Sequence, residues 1–227
     1  MLIEFIGISG SGKSTIARSV IKALKAEGFL ARHVGSGYEW VEGSRACERL
    51  RDATANGIRG ALRTAQLATV VKNAGRNLRL KEQLSLLSLL GQNSRALQSD
   101  AGLVLSDQGL LQRLGSFALR TNDEVLFFAH LKPEQLVALP WPDRVVFLEL
   151  ASSVALERVK ARGGRMARLS DQELRGLLNR SQTIVEAQAQ LGERLGIPIE
   201  RVRAYVPPGD IAEALFDQLI PRSESGV

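Results

Sequence analysis

The sequence comprises 227 residues, of which 44% are hydrophobic and 24% are charged. This composition is typical of folded proteins and excludes a disordered or low-complexity chain, and the length suits one domain spanning residues 1–227. The formal net charge is +6. The basic residues are nevertheless scattered and aromatic residues make up only 5%, so the sequence disfavours nucleic acid as a partner.

Cys47 is the single cysteine, which excludes an intrachain disulfide and fits a reducing compartment. Residues 1–6 run directly into a glycine-rich motif without a basic leader, and no apolar segment reaches the length of a transmembrane helix. We therefore expect a cytoplasmic protein without a membrane partner. The sequence leaves open whether the chain forms a homodimer.

The first elements along the chain are predicted to be a strand, a loop, a helix and a second strand. Residues 2–8 are a short apolar run that ends in glycines. Ile16, Val20 and Leu24 then recur at four-residue spacing, which is typical of a helix. Residues 29–34 predict the second strand.

Residues 42–100 show helical periodicity over a stretch far longer than an ordinary connection between strands. We therefore predict a helical insert after strand 2. The apolar residues whose spacing predicts buried helix faces are Leu62, Ala65, Leu67, Val70, Val71, Leu84, Leu87, Leu90 and Leu97.

Three further apolar runs predict the remaining strands, with helical patterns between them. This alternation predicts an α/β fold, a five-stranded parallel sheet with helices on both faces. The predicted strands are residues 102–107, 144–150 and 198–204, and the predicted helices are residues 110–120, 153–162, 170–195 and 210–219.

A phosphate-binding motif occupies residues 7–14, whose sequence GISGSGKS matches the pattern G-x-x-x-x-G-K-[ST] of a P-loop. It follows a predicted strand and opens a predicted helix, which is the context that the motif requires. Glycines let backbone N–H groups turn toward an oxyanion, and Lys13 reaches the terminal phosphates of ATP. The predicted ATP-binding residues here are Gly7, Ser9, Gly10, Ser11, Gly12, Lys13, Ser14 and Thr15.

Asp107 ends the third predicted strand and resembles the Walker B carboxylate. Together with the Ser14 hydroxyl it is a candidate ligand of Mg²⁺. Asp107 could instead be the base that takes a proton from an acceptor hydroxyl. An ordinary helix-capping aspartate is the alternative, which the upstream P-loop makes less attractive.

Arginines are concentrated in residues 158–170, where Arg158 and Arg162 share a helix face and a Gly-Gly pair separates them from Arg165. Charge that accumulates on a transferring phosphoryl group needs several fixed cations. We interpret this segment as a lid that carries catalytic arginines. A solvated basic helix end is the simpler alternative.

The order of these motifs resembles the thymidylate kinase and nucleoside kinase branch of P-loop kinases. The resemblance implies the strand order 2-3-1-4-5, a lid at the arginine segment, and an adenine pocket near residues 206–210 that includes Pro207 and Asp210. Thymidylate kinases carry an Asp-Arg pair where this chain has Asp107-Gln108. Either Arg113 supplies that cation, or the acceptor is not a nucleotide.

The acceptor side carries fewer signals. Glu39 follows the second strand, where related kinases place acceptor contacts, and it competes with Asp107 for the role of base. His33 and His130 lie far in sequence from cysteines and acidic clusters, so we expect neither a zinc site nor a histidine nucleophile.

The sequence thus predicts an ATP- and Mg²⁺-dependent kinase with a small-molecule acceptor, a nucleotide or nucleoside first. A sugar, antibiotic or cell-envelope precursor hydroxyl is the alternative acceptor. A partner-controlled P-loop ATPase or switch is the alternative class of protein.

Overall fold

The computed structural model describes residues 1–34, 57–98, 102–121 and 123–219. Within these ranges the chain forms one five-stranded sheet in which every neighbouring pair of strands is parallel. The strands are β1 (Leu2–Ile6), β2 (Ala31–Val34), β3 (Leu103–Ser106), β4 (Arg144–Glu149) and β5 (Ile199–Arg203).

The strand order is β2-β3-β1-β4-β5, as the resemblance to P-loop kinases implied. All five residues of β1 are buried because this strand lies at the centre of the sheet, between β3 and β4. Ile3 pairs with Leu105 on one side and with Arg144 on the other. The carboxyl ends of β1, β2 and β3 therefore share one edge of the sheet, where ligands of open α/β folds bind.

Helices cover both faces of the sheet, as predicted. Their bounds are α1 (Lys13–Ala26), α2 (Gly57–Asn73), α3 (Leu80–Gln98), α4 (Leu110–Ala118), α5 (Glu124–Ala129), α6 (Pro133–Leu136), α7 (Ser152–Arg162), α8 (Asp171–Arg194) and α9 (Pro208–Leu219). Helix α1 packs against α9, and α8 packs against both α4 and α7. None of the helices in the described ranges combines the length and the apolar character needed to span a bilayer.

The helical insert lies between β2 and β3 as predicted, but part of its predicted buried surface is wrong. Helices α2 and α3 pack on each other and bury only some of the apolar residues. Periodicity marks an apolar stripe without showing which of its edges the partner helix covers. Leu67, Val70, Val71 and Leu90 are buried and Leu87 is half-buried, whereas Leu62, Ala65, Leu84 and Leu97 are exposed.

Other differences from the predicted elements are small. Four strands end one or two residues earlier than predicted, and β2 begins two residues later, which is the usual uncertainty of element boundaries. Helices α5 and α6 were not predicted. They have six and four residues, too few for a helical period to show in the sequence.

Candidate functional site

The connection between β1 and α1 forms a tight loop over residues 7–12. Gly10 and Gly12 adopt φ angles of 89° and 88°, which favour glycine because a side chain would strain the backbone. A Cβ on Gly10 would also lie 3.0 Å from the carbonyl oxygen of Ala155 in α7. No side chain caps the N-terminus of α1. The first N–H groups of a helix have no intrahelical partners, so without a capping side chain they suit an anion.

Lys13 opens α1 and turns back over this loop. Its Nζ donates to the carbonyl oxygens of Gly7 at 2.6 Å and Ile8 at 3.0 Å. Removal from water lowers the pKa of Lys13 to about 8; the nearby Asp107 raises it and Arg162 lowers it further. A cationic group thus lies inside the loop, held by two carbonyl groups that a phosphate oxygen can replace.

Asp107 follows β3 and is 5% exposed. Burial raises the pKa of its carboxyl, but interactions with His33, Ser14 and Lys13 outweigh that effect and hold the pKa below its ordinary value. The carboxylate is therefore ionised at neutral pH. The structure brings together the P-loop lysine, the P-loop serine and the strand-end aspartate, and their roles toward ATP and Mg²⁺ stay predictions.

The donors beside Lys13 fit Mg²⁺. Asp107 Oδ1 is buried and has no hydrogen-bond partner among the described residues, so the carboxylate keeps lone pairs available to a cation. The Ser14 hydroxyl supplies a second hard oxygen, and Mg²⁺ usually takes one or two protein oxygens with water and phosphate completing the shell. In the described part of the chain, no cluster of three His, Cys, Asp or Glu side chains offers an all-protein metal site.

Arg158 lies on α7 and is bound to backbone rather than left free. Its guanidinium donates to the carbonyl oxygens of Ala204 at 2.9 Å and of Tyr205 and Gly10 at 3.5 Å. The residue therefore links three segments: the P-loop, α7 and the chain that leaves β5. This contact favours a positioning role for Arg158 over direct contact with phosphate.

The remaining arginines of the predicted lid are placed differently. Arg162 ends α7 close enough to Lys13 to lower its pKa, and its side chain is exposed. Arg165 is also exposed and precedes a 3₁₀ turn, Met166–Arg168. The Ser9 hydroxyl lies 3.5 Å from the Met166 sulfur, so this segment rests on the P-loop. Arg162 thus lies near Lys13, and Arg165 belongs to a segment that contacts the P-loop.

The segment expected to contact adenine runs from β5 into α9. The ring of Pro208 lies 3.8 Å from the position that a Cβ on Gly12 would occupy, so this segment borders the P-loop. Pro207 and Asp210 are exposed beside it. Glu39 lies outside the described residues, so the choice between Glu39 and Asp107 as base stays a prediction.

The sequence did not indicate a role for two residues that lie near the site. Glu4 is a carboxylate within the apolar strand β1 and is 1% exposed; its oxygens accept the N–H groups of Leu111 and Gln112 in α4. His33, which we expected to be isolated, lies beside Asp107. The charged residue inside an apolar strand was a signal for Glu4. Only the strand register reveals the position of His33.

The fold has a counterpart of known structure, although no protein-family model and no curated protein matches the sequence. It resembles deoxyadenosine kinase from M. mycoides, whose structure is described with the products dCMP and a flexible dCDP bound. The match covers 96% of this chain and 98% of that chain, at 15% sequence identity and a TM-score of 0.52. The chain therefore has the fold of a P-loop nucleoside kinase.

Proposed function

We propose that this protein is an ATP-dependent kinase that transfers the γ-phosphoryl group to a small acceptor, most favourably a nucleoside or nucleotide. The convergence of Lys13, Ser14 and Asp107 at the carboxyl edge of the sheet carries the proposal. The nucleoside class of acceptor is supported by the deoxyadenosine kinase fold alone. Residues 1–227 would act as one domain.

The P-loop would bind the phosphates of ATP. Its N–H groups and the first turn of α1 offer donors and positive potential, and Lys13 would exchange the Gly7 and Ile8 carbonyl oxygens for phosphate oxygens. Pro207 and Asp210 would border the adenine. These contacts fix the γ-phosphorus in place, which is the main task in phosphoryl transfer.

Ser14 and Asp107 would hold Mg²⁺, which when bound neutralises charge on the phosphates. The depressed pKa of Asp107 keeps its carboxylate ionised for this role. Asp107 and Glu39 remain the two candidates for accepting the proton of the acceptor hydroxyl. An aspartate committed to the metal favours Glu39 as the base.

Residues 158–170 would form the lid. Arg162 is exposed near Lys13, and Arg165 is exposed in the segment that contacts the P-loop, so on closure their charges would stabilise the equatorial oxygens of the transferring group. Arg158 would hold α7 against the P-loop through the backbone carbonyl groups that it contacts. Closure of this segment would also exclude water from the reaction.

The test is an acceptor panel. The purified protein is incubated with Mg·ATP and nucleosides, nucleoside monophosphates, sugars and a small-molecule extract, and products are analysed by mass. A product heavier by one phosphoryl group confirms the kinase and names its acceptor class. ADP release that no acceptor stimulates would instead indicate a partner-controlled ATPase or switch.

A further inference from the structure

His33 occupies a position in β2 that faces the candidate metal site. It pairs with Leu105 in β3, and Asp107 comes two residues after Leu105, just past the end of β3. His33 Nε2 lies 3.4 Å from Asp107 Oδ1. The side chains are 24% and 6% exposed, so solvent has little access to the contact.

Both atoms of this contact are otherwise unpartnered. His33 Nε2 and Asp107 Oδ1 are buried and have no hydrogen-bond partner among the described residues. Their separation exceeds an ordinary N–H···O distance by about half an ångström. A small movement on nucleotide binding would therefore form the bond, and contacts in ligand-free sites are often longer than in the loaded state.

The carboxyl of Asp107 is bounded on its other side by the P-loop helix. Ser14 and Lys13 both interact with it, whereas His33 approaches from the neighbouring strand. An N–H group on one carboxylate oxygen restricts rotation about the terminal side-chain bond. The orientation of the second oxygen is then fixed for a cation shared with Ser14.

We propose that His33 is a positioning residue that orients the Asp107 carboxylate for Mg²⁺ in the nucleotide complex. The inference rests on the proposed function, since it assumes that Ser14 and Asp107 bind the metal of a Mg·nucleotide. His33 would not touch the phosphates itself. Its loss should therefore weaken the metal-dependent part of nucleotide binding and leave the metal-independent part unchanged.

The test is calorimetric titration of ADP with and without Mg²⁺, which needs no acceptor. In His33→Phe the ring is kept and the N–H is lost; in His33→Gln a donor is restored at similar reach. We expect the gain in ADP affinity from Mg²⁺ to fall about tenfold in His33→Phe and to stay within about twofold of wild type in His33→Gln. Binding without Mg²⁺ should be equal in all proteins.

The matched control is His130→Phe, because His130 is exposed and bonded to its own helix at Leu126, away from Asp107. An unchanged effect of Mg²⁺ in His33→Phe would overturn the inference. Equal weakening of ADP binding with and without Mg²⁺, or failure of His33→Gln to restore the effect, would also overturn it by showing a general packing role. His33→Ala replaces His33→Phe if the latter does not fold.

The acceptor panel separates the two proposals. Wild-type protein that shows the His33-dependent effect of Mg²⁺ on ADP but forms no phosphorylated product would contradict the kinase and retain the positioning role. If the wild-type protein phosphorylates an acceptor while His33→Phe keeps the full effect of Mg²⁺ on ADP binding, the positioning role is contradicted and the kinase is retained. Absence of any effect of Mg²⁺ on wild-type ADP binding would overturn the positioning role outright.

Discussion

At the scale of single residues, the site depends on side chains that different elements bring to one edge of the sheet. Lys13 and Ser14 come from the start of α1, and Asp107 comes from the end of β3. The local spacing of the P-loop motif made the first two predictable from sequence. The contact of Asp107 with His33 was not predictable, because only the register of β2 on β3 brings the two residues together.

Asp107→Asn tests whether the carboxylate charge is needed. The amide keeps the size of the side chain but removes the charge that holds Mg²⁺, so we expect kcat at saturating ATP to fall about 100-fold or more. Steady-state turnover measured against Mg²⁺ concentration checks this. A rate near that of wild type would show that Asp107 is neither a metal ligand nor the base.

At the scale of elements, a buried carboxylate connects the P-loop strand to the helix that follows Asp107. Glu4 in β1 accepts the Leu111 and Gln112 N–H groups, at 3.3 Å and 2.8 Å. Gly109 leaves room for it, since a Cβ there would lie 2.3 Å from the carboxyl group. The sequence predicted β1 and α4 but not this contact, because helix capping from a distant strand leaves no local pattern.

Glu4 should make stability depend on pH. Burial raises its pKa to about 7, although the N–H groups of α4 lower it. A raised carboxyl pKa contributes stability that is complete below the unfolded-state value of 4.5 and is lost as the pH rises to about 7. Between pH 4.5 and pH 8, the wild type should thus lose up to about 3 kcal/mol relative to Glu4→Gln.

Urea unfolding of both proteins across this range checks the prediction, because the other titrating groups cancel in the difference. A stability difference that is the same at both ends of the range would contradict a raised pKa for Glu4. A difference of opposite sign would mean that the helix N-terminus outweighs burial.

The segment that we propose as a lid is the second feature at the scale of elements. Gly163 and Gly164 adopt φ angles of 75° and 90° between α7 and the 3₁₀ turn, and the next helix, α8, starts with a complete capping box from Ser170 and Glu173. Arg165 and Arg168 therefore lie on a segment that follows two glycines and separates two well-formed helices, whereas Arg158 and Arg162 lie on α7 itself. The sequence predicted the helices on either side of the two glycines, but not the hydrogen bonds from Arg158 to backbone carbonyl oxygens.

Arg162→Ala and Arg165→Ala should lower kcat more than they weaken ATP binding, since charges at the mouth of the loop act on the transition state. Arg175→Ala, which removes an exposed arginine of α8 outside the proposed lid, is the matched control. Separate measurement of kcat and of the ATP dissociation constant decides the matter. Weaker ATP binding with unchanged kcat would show that Arg162 and Arg165 contact ATP in the ground state.

At the scale of the whole molecule, the sheet order was predictable from the resemblance to P-loop kinases, and the helical insert was predictable from its periodicity and length. The exposure of Leu62 and Leu84 was not, since it depends on which side of α2 and α3 is covered. The identity of the acceptor does not follow from the fold either. A shared fold at 15% identity fixes the architecture and leaves the substrate to experiment.

Nucleotide binding should stabilise the folded chain as a unit. Mg·ADP at about 100 times its dissociation constant should raise the free energy of unfolding by about 2.7 kcal/mol. Thermal unfolding with increasing Mg·ADP measures this. A melting temperature that does not change with Mg·ADP concentration would contradict nucleotide binding by the folded protein.

The most direct test of the central claim is transfer of label from γ-labelled ATP to the acceptor pool by wild type, Lys13→Ala and Lys22→Ala. Lys22 lies on the same helix and is exposed, so its loss should leave transfer unchanged. We predict that Lys13→Ala lowers transfer about 100-fold or more while its melting temperature stays near that of wild type. Equal transfer by wild type and Lys13→Ala, or no labelled product from wild type, would contradict a P-loop kinase.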